Sequence, residues 1–315
     1  MPKSSEVDKY LKVKKITGIR MRTRLAEEAG ERVFRPKIDE SVVFETYQYK
    51  KGMDSYHQCD FIYCNKENEK TADENAIKPL IVYVHGGGWT VGSKEARRGM
   101  LSLFALQGFF VVSLNYTLCP EAEKYQQVKE IYAGIEFAFS KSKQYGFSGS
   151  DVFLCGDSAG AHLACLACVA KVNAQLKKAV GYKFNRDFEI KAVAPICGVF
   201  DFRTVLSCKF PNMKKFLWGY SRGKVRAFLK SERSYLESPI NFAGGFPPCF
   251  IVMGEADKLK NQSLELIREL AQKEKNFKLF IGKGKGGFHV FPAMFTTEMA
   301  RKCIGEVGEF FWARF

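Results

Sequence analysis

The segment DVFLCGDSAGAHLACLACVA, Asp151 to Ala170, decides how the rest of the chain is read. Its first five residues form an apolar run of strand length, and its last ten are apolar on almost every side, as in a helix buried at the centre of a domain. Between them stands Gly156-Asp157-Ser158-Ala159-Gly160, a G-x-S-x-G whose glycines permit a sharp strand-to-helix turn that leaves the serine hydroxyl exposed. The N-terminus of the following helix lies at Ser158, where its dipole favours developing negative charge. Ser158 is therefore the candidate nucleophile.

Outward from this segment, short continuous apolar runs alternate with amphipathic stretches. The runs are LIVYV (80–84), FFVVSL (109–114), IKAVAPI (190–196), CFIVM (249–253) and FKLFI (277–281), the pattern of parallel strands covered on both faces. Helices are expected from Tyr125 to Tyr145, stopped by Gly146, from about Asn261 to Lys275, and onward from Thr297. Ser93 is read as an N-cap and Gly108 as the stop of a helix after the first parallel run. Upstream, VVFETYQYK (42–50) and HQCDFIYC (57–64), joined by a turn around Gly52, read as an antiparallel edge. The order predicts an α/β fold, one domain over residues 1–315, with a mostly parallel central sheet flanked by helices.

Open sheets of this kind place chemistry outside the carboxyl ends of their strands. After LIVYV comes His85-Gly86-Gly87-Gly88-Trp89, where consecutive glycines let backbone N–H groups converge on an oxyanion. Gly87 and Gly88, with the N–H of Ala159, are the expected donors. Four histidines exist: His57, His85, His162 and His289. His57 lies in the early edge, His85 reads as a loop organiser and His162 as a buried helix residue, which leaves His289, after the last strand, as general base and acid. Asp257, in Gly254-Glu255-Ala256-Asp257, is the expected acid of the triad, with Glu255 and Asp201 as competitors. Asp157 is expected to brace the loops. The glycine-rich loop before His289 lacks the G-x-x-x-x-G-K-S/T of a phosphate-binding loop.

A chain of 315 residues that is 46% hydrophobic and 26% charged can bury a sizeable core, which excludes disorder as its main state. The formal charge of +15 is scattered in short groups without a nucleic-acid-binding motif, so a solvated basic surface is expected and no nucleic-acid partner. The charged opening MPKSSEVDKYLKVKK does not resemble a signal peptide and no long apolar span follows, so a cytoplasmic protein without stable membrane insertion is expected. Ten cysteines fall largely in apolar segments, as reduced core thiols do, and Cys165 and Cys168 form a mid-helix CxxC read as packing.

Residues 202–240, aromatic and basic, interrupt the alternation and read as a cap insertion over the carboxyl edge of the sheet, to which the N-terminal segment 1–40 can contribute. Lys209, Lys214, Lys215, Arg222, Lys224 and Arg226 in this insertion would favour anionic acyl compounds or membrane surfaces, or else form a solvated cap.

With HGGGW and GDSAG in this order, the chain resembles the α/β-hydrolase superfamily and, within it, the hormone-sensitive-lipase-like HGGG carboxylesterases, from roughly Val42 to the C-terminus. NYTLCPE (Asn115 to Glu121) is similar to that group's N-Y-R-L-A-P-E, with Thr117 and Cys119 in place of Arg and Ala. Ser238 to Ile240 (SPI) and Gly254 to Leu259 (GEADKL) add to the likeness, and Ala161 stands where a further glycine is common. The resemblance implies hydrolysis of short- to medium-chain acyl or aryl esters through an acyl-enzyme, with small-molecule substrates and neither metal nor organic cofactor. It leaves open arylformamidase, amidase or peptidase chemistry on the same residues, lipase-like selectivity, a homodimer and a non-catalytic receptor.

Overall fold

The computed structural model describes residues 4–52, 55–65 and 77–315. The first three residues of the N-terminal segment and part of the turn beyond Gly52 lie outside the described residues. The strands are β1 (Val42–Gln48), β2 (Gln58–Cys64), β3 (Lys78–Val84), β4 (Phe110–Leu114), β5 (Phe147–Asp157), β6 (Glu189–Ile196), β7 (Cys249–Gly254) and β8 (Phe277–Gly282). The helices are α1 (Ser4–Phe34), α2 (Arg98–Ala105), α3 (Gln126–Tyr145), α4 (Ala159–Val172), α5 (Ala174–Val180), α6 (Met213–Tyr220), α7 (Val225–Leu229), α8 (Glu232–Leu236), α9 (Lys260–Gln272) and α10 (Glu298–Trp312).

All eight strands form one sheet in the order β1-β2-β4-β3-β5-β6-β7-β8. The β1–β2 and β2–β4 pairings are antiparallel, and from β4 to β8 every pairing is parallel. The apolar runs of the central strands divide by alternation, because successive side chains point to opposite faces. Leu80, Val82, Val84, Val152 and Leu154 join the core under α3, α4 and α9, while Ile81, Tyr83, Phe153 and Cys155 join the core under α2 and α10. Both faces are therefore covered, and this explains why these strands read as continuous hydrophobic runs.

The order also locates the site. The chain adds β4 on one side of β3 and then returns through α3 to add β5 on the other, so β3 and β5 are neighbours, with Val84 opposite Gly156. Such a reversal opens a crevice at the carboxyl ends of the two strands. The His85–Trp89 loop and the Gly156–Gly160 turn leave the sheet side by side there.

The helix expectations hold with one correction. Gly146 ends α3 in the left-handed region at φ +68°, and Thr297 caps α10 by accepting from Ala300 N–H at 3.3 Å. Ser93, however, does not cap a helix: α2 begins only at Arg98. The intervening residues are pinned elsewhere, with Lys94 N–H donating to Asn115 Oδ1 at 2.6 Å and Lys94 Nζ to Asp60 at 2.6 Å, so the backbone follows those anchors instead of coiling. All ten cysteines are free thiols, and Cys165 and Cys168 are buried within α4.

Candidate active site

Ser158 caps α4 with φ +53° and ψ −116°, a strained conformation for a residue with a Cβ. The backbone holds it there: Ser158 N–H donates to Ile196 O at 2.8 Å and Ser158 O accepts from His162 N–H at 3.1 Å. A Cβ on Gly160 would fall 2.0 Å from Val84 O, and one on Gly156 2.7 Å from the Gly160 backbone. The turn closes only because both flanking residues lack side chains.

The glycine loop is aimed by its own carbonyls. His85 Nδ1 lies 2.7 Å from Gly86 O, and a carbonyl only accepts, so Nδ1 carries the proton. In a trans peptide the next N–H points opposite to the carbonyl, so this bond turns the Gly87 N–H away from His85. The Gly87 carbonyl in turn accepts from Thr90 and Val91 N–H at 3.1 and 3.0 Å, which turns the Gly88 N–H outward. Both glycines take positive φ, +114° and +57°. Burial pushes the His85 pKa down to about 4, although its bond to Gly86 and the nearby Asp157 pull the other way, so the ring stays neutral and is stacked on Tyr116 at 4.3 Å.

Beneath this loop Asp157 is fully enclosed. Its carboxylate accepts from Gly86 N–H at 2.9 Å, from Arg97 at 3.0 Å and from the Tyr83 hydroxyl. Burial alone would raise its pKa, but the Arg97 charge and these donors hold it below the usual carboxylate range. It braces two loops and takes up the Gly86 N–H, which leaves the donors of Gly87 and Gly88 as the outward ones.

Asp257 and His289 come together at the carboxyl ends of β7 and β8. His289 Nδ1 donates to Asp257 Oδ2 at 2.9 Å, while Asp257 Oδ1 accepts from Leu259 N–H at 2.9 Å. With Nδ1 acting as donor, Nε2 keeps its lone pair for a proton. Backbone bonds lace the two loops, Ala256 N–H to Gly287 O at 3.0 Å and Glu255 N–H to Gly282 O at 2.8 Å. The competing carboxylates go elsewhere: Glu255 accepts from Gly284 N–H at 2.6 Å, and Asp201 pairs with Arg203 at 3.1 Å. The other histidines are engaged as well. His162 accepts from Trp89 Nε1 at 3.1 Å and donates to Glu237 O at 2.7 Å, with burial pushing its pKa down to about 4, and His57 lies 3.0 Å from Glu130.

Three contributions escape a reading of motifs. Cys197, at φ +50° after β6, places its sulfur within 4.8 Å of Asp257 and His289 ligand atoms, the group among the described residues with mixed metal-ligand chemistry. Burial first, and then the Asp257 charge, push its thiol pKa well up, so it faces the pair as a neutral thiol. From α1, Arg20 donates to Thr90 O and Cys119 O, each at 2.9 Å, and to both Glu121 oxygens at 2.6 and 2.7 Å. From the 202–240 insertion, the Phe210 ring meets His289 at 4.6 Å, and a Cβ on Gly88 would lie 2.3 Å from Phe216 Cγ. The only sequence signals were an arginine in the N-terminal segment and aromatics in an insertion; the contacts join residues far apart along the chain.

The arrangement can be set beside known proteins. A family model described as BD-FAE matches residues 62–270, well over half of the chain. The chain belongs to the BD-FAE family. Among sequences, this BD-FAE member is 26% identical over 195 residues to "Probable carboxylic ester hydrolase LipM" of Mycobacterium tuberculosis (strain ATCC 25618 / H37Rv), covering 59% of the chain and 43% of the relative. The chain thus matches less than half of that curated relative's length. Among solved structures, esterase B from Lactobacillus rhamnosis (HN001) superposes with a TM-score of 0.81 at 23% identity, covering 98% of this chain and 96% of that one. Its form titled as inhibited by a C4-C4 SN3 tributyrin phosphonate gives 0.80 at 24%, covering 96% and 95%. A bacterial heroin esterase gives 0.67 at 19%, covering 91% and 90%. These likenesses show for this chain the α/β-hydrolase fold that its motifs imply.

Proposed function

We propose that this BD-FAE member is a serine carboxylic ester hydrolase for short- to medium-chain acyl or aryl esters. The observation that carries the reading is the His289 Nδ1 bond to Asp257 at 2.9 Å, at the same sheet edge where Ser158 is presented in a strained turn. Ser158 Oγ attacks the ester carbonyl carbon while His289 Nε2 takes the hydroxyl proton, and the carbonyl oxygen becomes an oxyanion received by the N–H groups of Gly87, Gly88 and Ala159. Asp257 stabilises the imidazolium. Collapse of the tetrahedral intermediate breaks the bond to the alkoxy oxygen, which leaves as an alcohol with the His289 proton. Water, deprotonated by His289, then attacks the acyl-enzyme and releases the acid and free Ser158.

In this reading the insertion 202–240 forms the cap, and the described part of the N-terminal segment contributes to it. Phe210 against His289 and Phe216 against Gly88 put apolar walls beside the reacting carbonyl, which suits an acyl or aryl group and restricts its length. The names of the relatives, esterases and a carboxylic ester hydrolase, agree with it. Among the described residues no helix is long and apolar enough to cross a membrane, in keeping with a small-molecule substrate reached from water.

The test is hydrolysis of p-nitrophenyl esters from acetate to palmitate. Ser158→Ala is expected to lower kcat by at least ~10³-fold with an unchanged unfolding midpoint. No turnover of any ester by folded wild-type protein would move the assignment to formamide or amide substrates, or to ligand binding without chemistry.

A further inference from the structure

Beside the glycine loop, and covered by α1, lies a cavity of about 530 Å³. Gly86 and Gly87 form part of its wall, so it borders the backbone that carries one of the proposed oxyanion donors. Phe44, Met100 and Phe295 give it an apolar surface, the last two fully buried. Six charged side chains also line it: Arg22, Glu27, Arg35, Glu95, Arg97 and Arg98.

Most of these charges are already answered. Arg97 pairs with Asp157 at 3.0 Å, Arg98 with Asp60 at 2.7 Å, and Glu95 with Lys94 at 2.5 Å. Glu27 faces Arg97, and its burial outweighs that cation and lifts its pKa to about 7, so near neutral pH it carries only part of a charge. Among the described residues Arg22 and Arg35 have no carboxylate partner. Both project from the N-terminal segment into the same cavity. By contrast, the exposed Lys209, Lys214, Lys215, Lys224 and Arg226 of the insertion do not line it, so the basic insertion is not what reads a ligand here.

A cavity that borders Gly86 and Gly87 of the glycine loop and carries two guanidinium forks beside apolar side chains matches a ligand with an apolar part and an anionic one. We infer that the cavity binds the acyl arm of the substrate and that the preferred esters carry a carboxylate at the far end of that arm, held by Arg22 and Arg35. This rests on the ester-hydrolase reading and narrows it to monoesters of dicarboxylic acids.

The experiment compares two esters of equal acyl length, p-nitrophenyl hexanoate and the mono-p-nitrophenyl ester of adipic acid, on wild type, Arg22→Gln/Arg35→Gln and Ser158→Ala. The wild type is expected to favour the adipate monoester in kcat/KM. The double variant should lose roughly tenfold of that preference, the size of one charged hydrogen bond, with hexanoate turnover within about twofold of wild type. Both arginines are exposed, so the variant is expected to fold, and its unfolding midpoint checks this. Ser158-dependent hydrolysis of both esters at an unchanged ratio overturns the arm site alone. Failure of Ser158-dependent hydrolysis on either ester overturns the arm site together with the reading beneath it.

Discussion

At the carboxyl end of β5 the chain is held by the sheet itself: Gly156 and Gly160 press on the β3 backbone, Ser158 bonds to β6, and Asp157 ties the turn to the glycine loop from below. The N-terminal helix reaches the same edge differently. Arg20 of α1 joins three acceptor sites, Thr90 O, Cys119 O and the Glu121 carboxylate. In the first region, loss of one group disturbs the core and the site together; in the second, the site should be disturbed with little cost to the core. Stability and activity are thus predicted to separate along the boundary between sheet edge and roof.

The sharpest way to break this contrast is Asp157→Ala. It leaves the Gly86 N–H and the Tyr83 hydroxyl without their acceptor and Arg97 without its counter-charge, so unfolding in urea is expected to show a loss of about 3 kcal/mol, with esterase activity falling alongside. Unchanged stability would mean that the sheet edge is not the rigid partner described.

Acid should act on the same region. His85 and His162 are buried with pKa values lowered from 6.5 to about 4, so between these limits the unfolded chain binds protons that the native chain refuses. Their contribution is therefore present above pH 6.5 and is lost as the pH falls toward 4. Unfolding midpoints measured from pH 7.5 to 4.5 should decline, and the decline should be shallower in a His162→Gln variant that folds.

Arg20→Ala has the smallest expected effect on stability, below about 1 kcal/mol, since the guanidinium is partly solvated. The activity effect should be larger: a kcat fall of roughly tenfold, as Thr90, which closes the turn on Gly87, loses its outer tether. Arg20→Lys, with one point charge in place of a fork, should recover part of it. If stability collapses with activity in Arg20→Ala, the roof belongs to the core and the contrast fails.

How much of this was legible follows the same boundary. The apolar run before Gly156 and the apolar helix after Gly160 announced strand, turn and buried helix, because burial on both faces writes itself as uninterrupted hydrophobicity. The sequence leaves Glu255 as a competitor of Asp257, whereas the structure separates them by partner: His289 for one and Gly284 N–H for the other. Ser93 misled because capping preference is local, and Lys94 is drawn to Asp60, 34 positions away. The contacts of Arg20, Phe210, Phe216 and Cys197 could not be read, since nothing in their neighbourhoods in sequence records what they touch in space.

The ring of Phe216 over Gly88 makes two positions 128 residues apart a single packing unit. A larger residue at 88 has no room while the ring is in place, and a smaller residue at 216 uncovers the loop. Exchanges at the two sites should accordingly be non-additive, and an engineer who trims the ring at position 216 also retunes the backbone groups proposed to receive the oxyanion. Breadth of substrate and speed of reaction are then adjusted by one dial.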